Sequence, residues 1–225
     1  MLLGNAALKK LGDARVAVFG VGGVGGFAVE ALARAGIGSI DVIDNDKVST
    51  SNINRQIIAL NSTVGKYKVD VIKERILDIN PECKVGTFKT FFMPDTACEI
   101  DFRKYDYVVD AIDTVTGKKQ LILSCKEAKV PVISSMGAGN KLCASSFKVA
   151  DIYDTRVCPL ARVMRKICKD NGIKQLKVVY SEEQPIKSFK GDSACDENRV
   201  PGSVSFVPPV CGMIIAGEVI KDIIK

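Results

Sequence analysis

Short apolar runs alternate with amphipathic stretches along most of the chain. "RVAVFG" (15–20) is apolar and β-branched, and "GFAVEALARAG" (26–36) follows a glycine cluster with a helical pattern, so the segment reads as strand, tight turn, helix. "SIDVID" (39–44) supplies a second strand and closes a βαβ unit. "KYKVDVIKERILDIN" (66–80) then places Val69, Ile72, Ile76 and Ile79 at helical spacing, and Pro81 ends that helix. "KVGTF" (84–88) and "YDYVVDAID" (105–113) read as strands, "GKKQLILSCKEAK" (117–129) as a helix and "VPVISS" (130–135) as another strand. This alternation predicts an α/β fold, a Rossmann-like, doubly wound, mainly parallel sheet with right-handed crossovers.

After Ser135 the pattern becomes irregular. A strand at 145–152, a helix at 159–172 opened by Pro159 and stopped by Asn-Gly, and a strand at 176–180 are expected. Residues 181–203 have few aliphatics and no period and read as a mobile loop, whereas 208–224 form a helix apolar on most faces, which belongs inside something. At 225 residues the chain fits a single domain, a regular core over 1–135 with an irregular extension over 136–225.

Composition narrows the picture. Hydrophobic residues at 47% and charged residues at 26% match a soluble globular protein, and the net charge of +6 permits an anionic partner without demanding one. Eight cysteines without a C-x-x-C pair and with no secretory signal fit a reduced cytoplasm. The absence of histidine argues against a structural zinc and removes any histidine base. The most apolar stretch, 204–215, is interrupted by proline and glycine and falls short of the roughly 20 residues a membrane span needs.

Gly20, Gly22, Gly23, Gly25 and Gly26 lie between strand and helix, where glycine allows a tight turn and helix-start amides face an anion. Their spacing also satisfies the dinucleotide fingerprint, with Asp44 about 20 residues on as a ribose ligand. On the loop alone NAD and ATP are equally good ligands, and close helix–sheet packing is the structural alternative. The stretch "VIDNDKVSTSNINRQ" (42–56) adds what NAD does not require. Arg55 carries a planar cation suited to phosphate oxygens and Asn52 neutral donors beside it. Lys68, one position from the buried stripe headed by Val69, could stand at the rim of the site or be an ordinary solvated lysine. Asp113 ends a strand where open parallel sheets bind ligands, while Asp110 points to the opposite side. A carboxylate facing a triphosphate would be repelled unless magnesium lies between them, which makes Asp113 the metal ligand; capping of the next helix is the competing role.

With the glycine loop, "DNDKVSTSNINRQ", "VGKYKVD" and "DAIDT" together, the chain resembles the adenylating superfamily of sulfur-carrier activators and ubiquitin-activating enzymes. The resemblance implies that Asp44 holds the ribose, Asn52 and Arg55 grip the triphosphate, Lys68 bridges phosphates and Asp113 binds Mg2+. Ser51 and Gly23 match nucleotide-contacting positions, with Thr114 added beside Asp113. Arg55, Lys68 and Asp113 would then carry the catalysis. The sulfur-carrier branch commonly has two C-x-x-C pairs, absent here. "VCPLARVMRKICKDNGIKQLKVVYSEE" instead resembles the branch that acts on transfer RNA, the threonylcarbamoyladenosine dehydratases, although Cys158 stands where an acid is often seen. That branch implies ATP-dependent cyclisation of the modified adenosine through an acyl adenylate, with a homodimer and a possible sulfur-relay partner; activation of a ubiquitin-like sulfur carrier is the alternative. Relatives also carry an arginine in a segment before "LLGNAALKKLG" that reaches the triphosphate, so in this chain it is expected to be trimmed away or absent.

Arg156, Arg162, Arg165, Lys166, Lys169, Lys174 and Lys177, continued by Lys187 and Lys190, could track an RNA backbone or form a solvated helix face. Tyr180 and Phe189 are candidates for stacking on a base or for packing. Cys195 is the cysteine of most interest for reactivity, although its neighbours Asp192, Asp196 and Glu197 would raise its pKa.

Overall fold

A computed structural model describes residues 2–186 and 201–225. Lys187, Phe189, Lys190 and Cys195 lie outside the described residues.

The strands are β1 (Arg15–Phe19), β2 (Ser39–Ile43), β3 (Lys84–Phe88), β4 (Tyr107–Asp110), β5 (Val132–Ser135), β6 (Phe147–Asp151) and β7 (Lys177–Ser181). They form one sheet in the order β3-β2-β1-β4-β5-β7-β6. Every neighbouring pair is parallel except β6 with β7. The helices are α1 (Gly4–Asp13), α2 (Gly25–Arg34), α3 (Lys68–Ile79), α4 (Val115–Ala128), α5 (Pro159–Asp170) and α6 (Val207–Ile224). Strand order reverses between β1 and β4, and such a reversal opens a crevice at the carboxyl ends of the strands.

The period-two alternation along β1 divides the core. Val16 and Val18 join Val29 and Leu32 of α2, Ile72 and Ile76 of α3, and Ile215 and Val219 of α6 in one cluster. Ala17 and Phe19 face the other way, into a cluster with Phe92, Phe102 and Leu121 of α4. Each such side chain contributes about 1.5–3 kcal/mol through burial. A third cluster joins Met164 and Cys168 of α5 to Val178 and Tyr180 of β7.

The structure refines the sequence reading at three places. No element was assigned to α1, because only Leu11 of its ten residues is buried and its apolar period is too short to stand out. The strand expected over 105–113 keeps only Tyr107–Asp110, since the residues after Asp110 leave the sheet to form the crevice wall. Tyr180 is packing and not a stacking platform: it is buried, and its hydroxyl donates to Glu182 Oε1 at 2.9 Å. Among the described residues no helix is long and apolar enough to cross a membrane.

The apolar last helix covers its own sheet. Gly212 of α6 presses on the start of α2, where a Cβ would come within 2.2 Å of the Val24 carbonyl oxygen and 3.0 Å of the Ala28 nitrogen. Gly212→Ala gains about 1 kcal/mol of helix propensity, but the clash with backbone costs about 1–3 kcal/mol. The variant is therefore expected to be the less stable protein, with a lower urea midpoint. An unchanged or raised midpoint would show that the two helices do not meet this closely.

Candidate functional site

The crevice is a cavity of about 760 Å³ walled by the turns that follow β1, β2, β4 and β5 and by residues leading into α6. After β1, Gly20 adopts φ +87°, and a Cβ there would lie 2.6 Å from the Ala111 carbonyl oxygen; one on Gly25 would lie 1.8 Å from the Gly20 oxygen. Only glycine permits this turn. Helix α2 then opens with Val24 and no side-chain cap, and apart from the Gly26 N–H, which donates to the Gly22 carbonyl at 3.0 Å, its first-turn amides are available to an anion.

Asp44, just past β2, fastens the turn. Its Oδ2 accepts from the Val21 N–H at 2.7 Å and its Oδ1 from the Asp46 N–H at 2.8 Å. Burial pushes its carboxyl pKa upward, opposed by Lys68 and the two amide bonds. A raised folded-state value means that the ionised carboxylate costs stability, a cost that appears as pH rises through that value. Each oxygen keeps a further acceptor position beside the cavity.

The stretch after Asp44 brings the cations in. Asn52 Oδ1 accepts from the Ser49 N–H at 3.1 Å, and Asn52 itself lines the cavity. Arg55 packs its stem against Gly23 while Nη1 donates to the Ser51 carbonyl at 3.0 Å and to Asn54 Oδ1 at 2.9 Å. Lys68 is the first residue of α3, only 5% exposed, with Nζ 2.7 Å from Asp46 Oδ2. It is no solvated lysine: a buried ammonium at the cavity wall with one surface carboxylate for a partner is suited to an anionic ligand.

Gly20, Gly22, Gly23, Asp44, Asn52, Arg55, Lys68, Asp113 and Thr114 all line the cavity. Gly25 and Ser51 stand behind it, the first under Gly20 and the second as an acceptor for Arg55. Asp113 is exposed at the wall. Among the described residues no group of three or more metal-ligating side chains occurs. A lone Asp113 nevertheless suits magnesium, which is commonly held by one or two carboxylates and the phosphates of a nucleotide.

Sequence reasoning expected Thr114 in the wall and missed Gln56. Gln56 Oε1 and Thr114 Oγ1 are buried without a hydrogen-bond partner among the described residues, and both residues line the cavity. Buried polar atoms are seldom left unpaired, so these two mark where a polar ligand completes the site. Gln56 was legible only as a neighbour of Arg55. Phe91, Phe92, Met136, Gly137 and Leu160 also line the space, without any local pattern to announce them. Beneath it, Lys118 is 1% exposed and donates to Asp110 Oδ1 at 3.1 Å and the Ser135 carbonyl at 2.7 Å. Asp110 in turn accepts from the Ile112 N–H at 3.2 Å and from Ser134 Oγ at 2.5 Å. This network ties the turn carrying Asp113 to the end of β5.

The ThiF family model matches residues 1–225. The tRNA threonylcarbamoyladenosine dehydratase of Bacillus subtilis (strain 168) is 43% identical over 235 residues, covering all of this chain and 92% of the relative. The structure of the E. coli tRNA N6-threonylcarbamoyladenosine dehydratase in complex with ATP superposes with a TM-score of 0.87 at 35% identity, covering 99% of this chain and 90% of that one. Similarity to the molybdopterin-synthase adenylyltransferase of Escherichia coli (strain K12), at 37% identity, covers only 58% of this chain.

Removing one partner from the Lys118–Asp110 pair leaves the other charge buried, which costs about 3–5 kcal/mol. Lys118→Met is expected to lower the urea unfolding midpoint accordingly, and the double variant Asp110→Leu with Lys118→Met should recover most of the loss. A double variant no more stable than the single one would contradict the pairing.

Proposed function

The chain belongs to the ThiF family, and we propose that it is an ATP-dependent ligase that cyclises threonylcarbamoyladenosine in tRNA with loss of water. The observation that carries this reading is likeness to a tRNA threonylcarbamoyladenosine dehydratase along the whole chain, where likeness to a sulfur-carrier adenylyltransferase covers little more than half. The cavity supplies the means. Two cations, Arg55 and Lys68, stand on the same wall as the glycine turn, which favours a triphosphate over NAD.

In this reading the amides of the glycine turn and of α2 receive phosphate oxygens, and Asp44 accepts from the ribose. Asn52, Arg55 and Lys68 hold the triphosphate. Gln56 and Thr114 find their missing partners on the nucleotide. Magnesium on Asp113 would neutralise phosphate charge that the carboxylate otherwise repels. The threonyl carboxylate of the substrate attacks the α-phosphorus, pyrophosphate leaves, and a carboxylate oxygen becomes part of a good leaving group, the adenylate. A nitrogen of the same modified base then attacks the acyl carbon, its proton passes to solvent and AMP departs. Because the nucleophile is intramolecular, proximity replaces a protein nucleophile. The lack of histidine is consistent with that.

The RNA-facing surface is proposed along α5. Arg162, Lys166 and Lys169 are exposed at helical spacing on this element, and Leu160 in its first turn lines the cavity. Arg165 and Lys177 are left out, since Arg165 Nη1 donates to the Thr155 carbonyl at 2.5 Å and Lys177 Nζ lies 2.5 Å from Asp222 Oδ2. A homodimer, a cytoplasmic setting and a sulfur-relay partner complete the proposal.

Incubation of the purified protein with threonylcarbamoylated tRNA, ATP and magnesium is expected to yield a nucleoside lighter by one water, together with AMP and pyrophosphate. Lys68→Ala should lower kcat/KM by about 100-fold or more, the size of effect seen when one preorganised charge-stabilising donor is lost. Turnover with a ubiquitin-like carrier ending in Gly-Gly, and none with tRNA, would reject the assignment in favour of sulfur-carrier activation. Neutralising Arg162, Lys166 and Lys169 together should weaken tRNA binding and reduce its salt dependence by about three phosphate contacts, while leaving ATP affinity within about two-fold. An unchanged salt slope would move the RNA elsewhere.

A further inference from the structure

Pro201 and Ser203 line the cavity, and the short segment they bracket is held from both sides by asparagines. On one side stands Asn140, in the left-handed region with φ +56°. Its N–H donates to the Gly202 carbonyl at 2.7 Å and its Oδ1 accepts from the Gly202 N–H at 2.8 Å. Its own carbonyl accepts from the Ile186 N–H at 2.8 Å. Pro201 also lies so close to Gly139 that a Cβ there would stand 2.7 Å from the proline Cβ. On the other side Asn54 Nδ2 donates to the Ser203 carbonyl at 2.9 Å, while its Oδ1 accepts from Arg55 Nη1 at 2.9 Å.

The side-chain amide of Asn54 is thus used at both ends. One end touches the guanidinium assigned to the triphosphate, and the other touches backbone that lines the rest of the cavity. Resting on the reading that Arg55 grips the triphosphate, we propose that Asn54 is a positioning residue that couples nucleotide binding to the placement of residues 201–203 on the acyl-substrate side, with Asn140 as the opposite anchor. A guanidinium fixed by phosphate holds the Asn54 oxygen, which fixes the plane of the amide and aims its N–H at Ser203. The coupling is reciprocal, so a seated acyl substrate also favours the triphosphate-bound orientation of Arg55. AMP has no β or γ phosphate and leaves the arginine unengaged.

Hydrogen exchange at the Gly202 amide tests this without any tRNA. In the unaltered protein, saturating α,β-methylene ATP should slow exchange by about five-fold or more, the lower end of typical coupling, and AMP should not. Asn54→Ala should abolish the slowing at saturating analogue, and so should Asn54→Asp, which keeps the oxygen for Arg55 and loses the N–H donor; the second serves if the first does not fold. With tRNA, Asn140→Ala should raise KM for the RNA by about five-fold while KM for ATP changes less than two-fold. Equal slowing by AMP and the ATP analogue, or slowing that survives in the Asn54 variants, would overturn the coupling. Dehydration of tRNA by a protein lacking the exchange effect would sink this inference alone, whereas exchange coupling in a protein that never dehydrates tRNA would sink the assigned reaction alone.

Discussion

The site depends on how closely the turns after β1 and β4 approach each other. Gly20 leaves its strand under the carbonyl of Ala111, at a separation that no side chain could occupy, and Gly25 sits on the Gly20 carbonyl in the same way. That contact sets where α2 starts and how far its amides project. Asp44 then fixes the turn from the neighbouring strand by accepting the Val21 N–H, and the same carboxylate orients Asp46, the partner of Lys68. Backbone approach, acid and cation form one continuous construction, so a change at the glycines reaches the lysine through three hydrogen bonds.

Charge in this construction is kept for a ligand. Lys68 is buried, its one close ion-pair partner is a carboxylate mostly in water, and the half-buried Asp44 acts on it only from beyond ion-pair distance, which is weak compensation for a desolvated ammonium. Arg55 donates only to a carbonyl and a side-chain amide among its described bonds. Lys118 shows the contrast: equally buried, it has a fully buried carboxylate, a hydroxyl and a carbonyl around it, and it holds together the two turns that bound the cavity. Burial alone therefore does not separate a binding lysine from a structural one. The partner's own exposure does.

The same distinction explains what could be read in the chain before its folding was known. Strands buried on both faces appear as apolar runs, and Lys84–Phe88 and the helix over 159–170 were legible because their punctuation is local. Asp44 and Asp113 were legible because they follow strand ends at short spacing, and Arg55 and Lys68 through the motifs "DNDKVSTSNINRQ" and "VGKYKVD" that carry the family resemblance. Gln56 carries no such mark, since what singles it out is an empty hydrogen-bonding position that exists only once the cavity has formed. Lys118 sat in a stretch of polar helix with nothing to separate it from Lys119 beside it. The segment over 201–203 belongs to the site only because Asn140 and Asn54, far away in sequence, hold it there.

The proposed reaction needs no protein nucleophile, and none of the described cysteines lines the cavity. Of the described cysteines, Cys83, Cys125, Cys158, Cys168 and Cys211 are buried, and burial drives the Cys211 thiol up to about 12, far from a reactive thiolate. Cys98 and Cys143 are exposed, and hydrogen bonds with Ser145 and Ser146 lower the pKa of the Cys143 thiol, yet both are absent from the cavity wall. Chemistry that transfers an acyl group to a protein sulfur would need such a thiol in reach of the adenylate. Ring closure within one nucleotide does not, because the attacking nitrogen arrives on the substrate that carries the activated acyl group. In the proposed reaction, what remains for the protein is to hold a polyanion and a carboxylate against each other, a task that reading gives to the glycine turn, Arg55, Lys68 and Asp113.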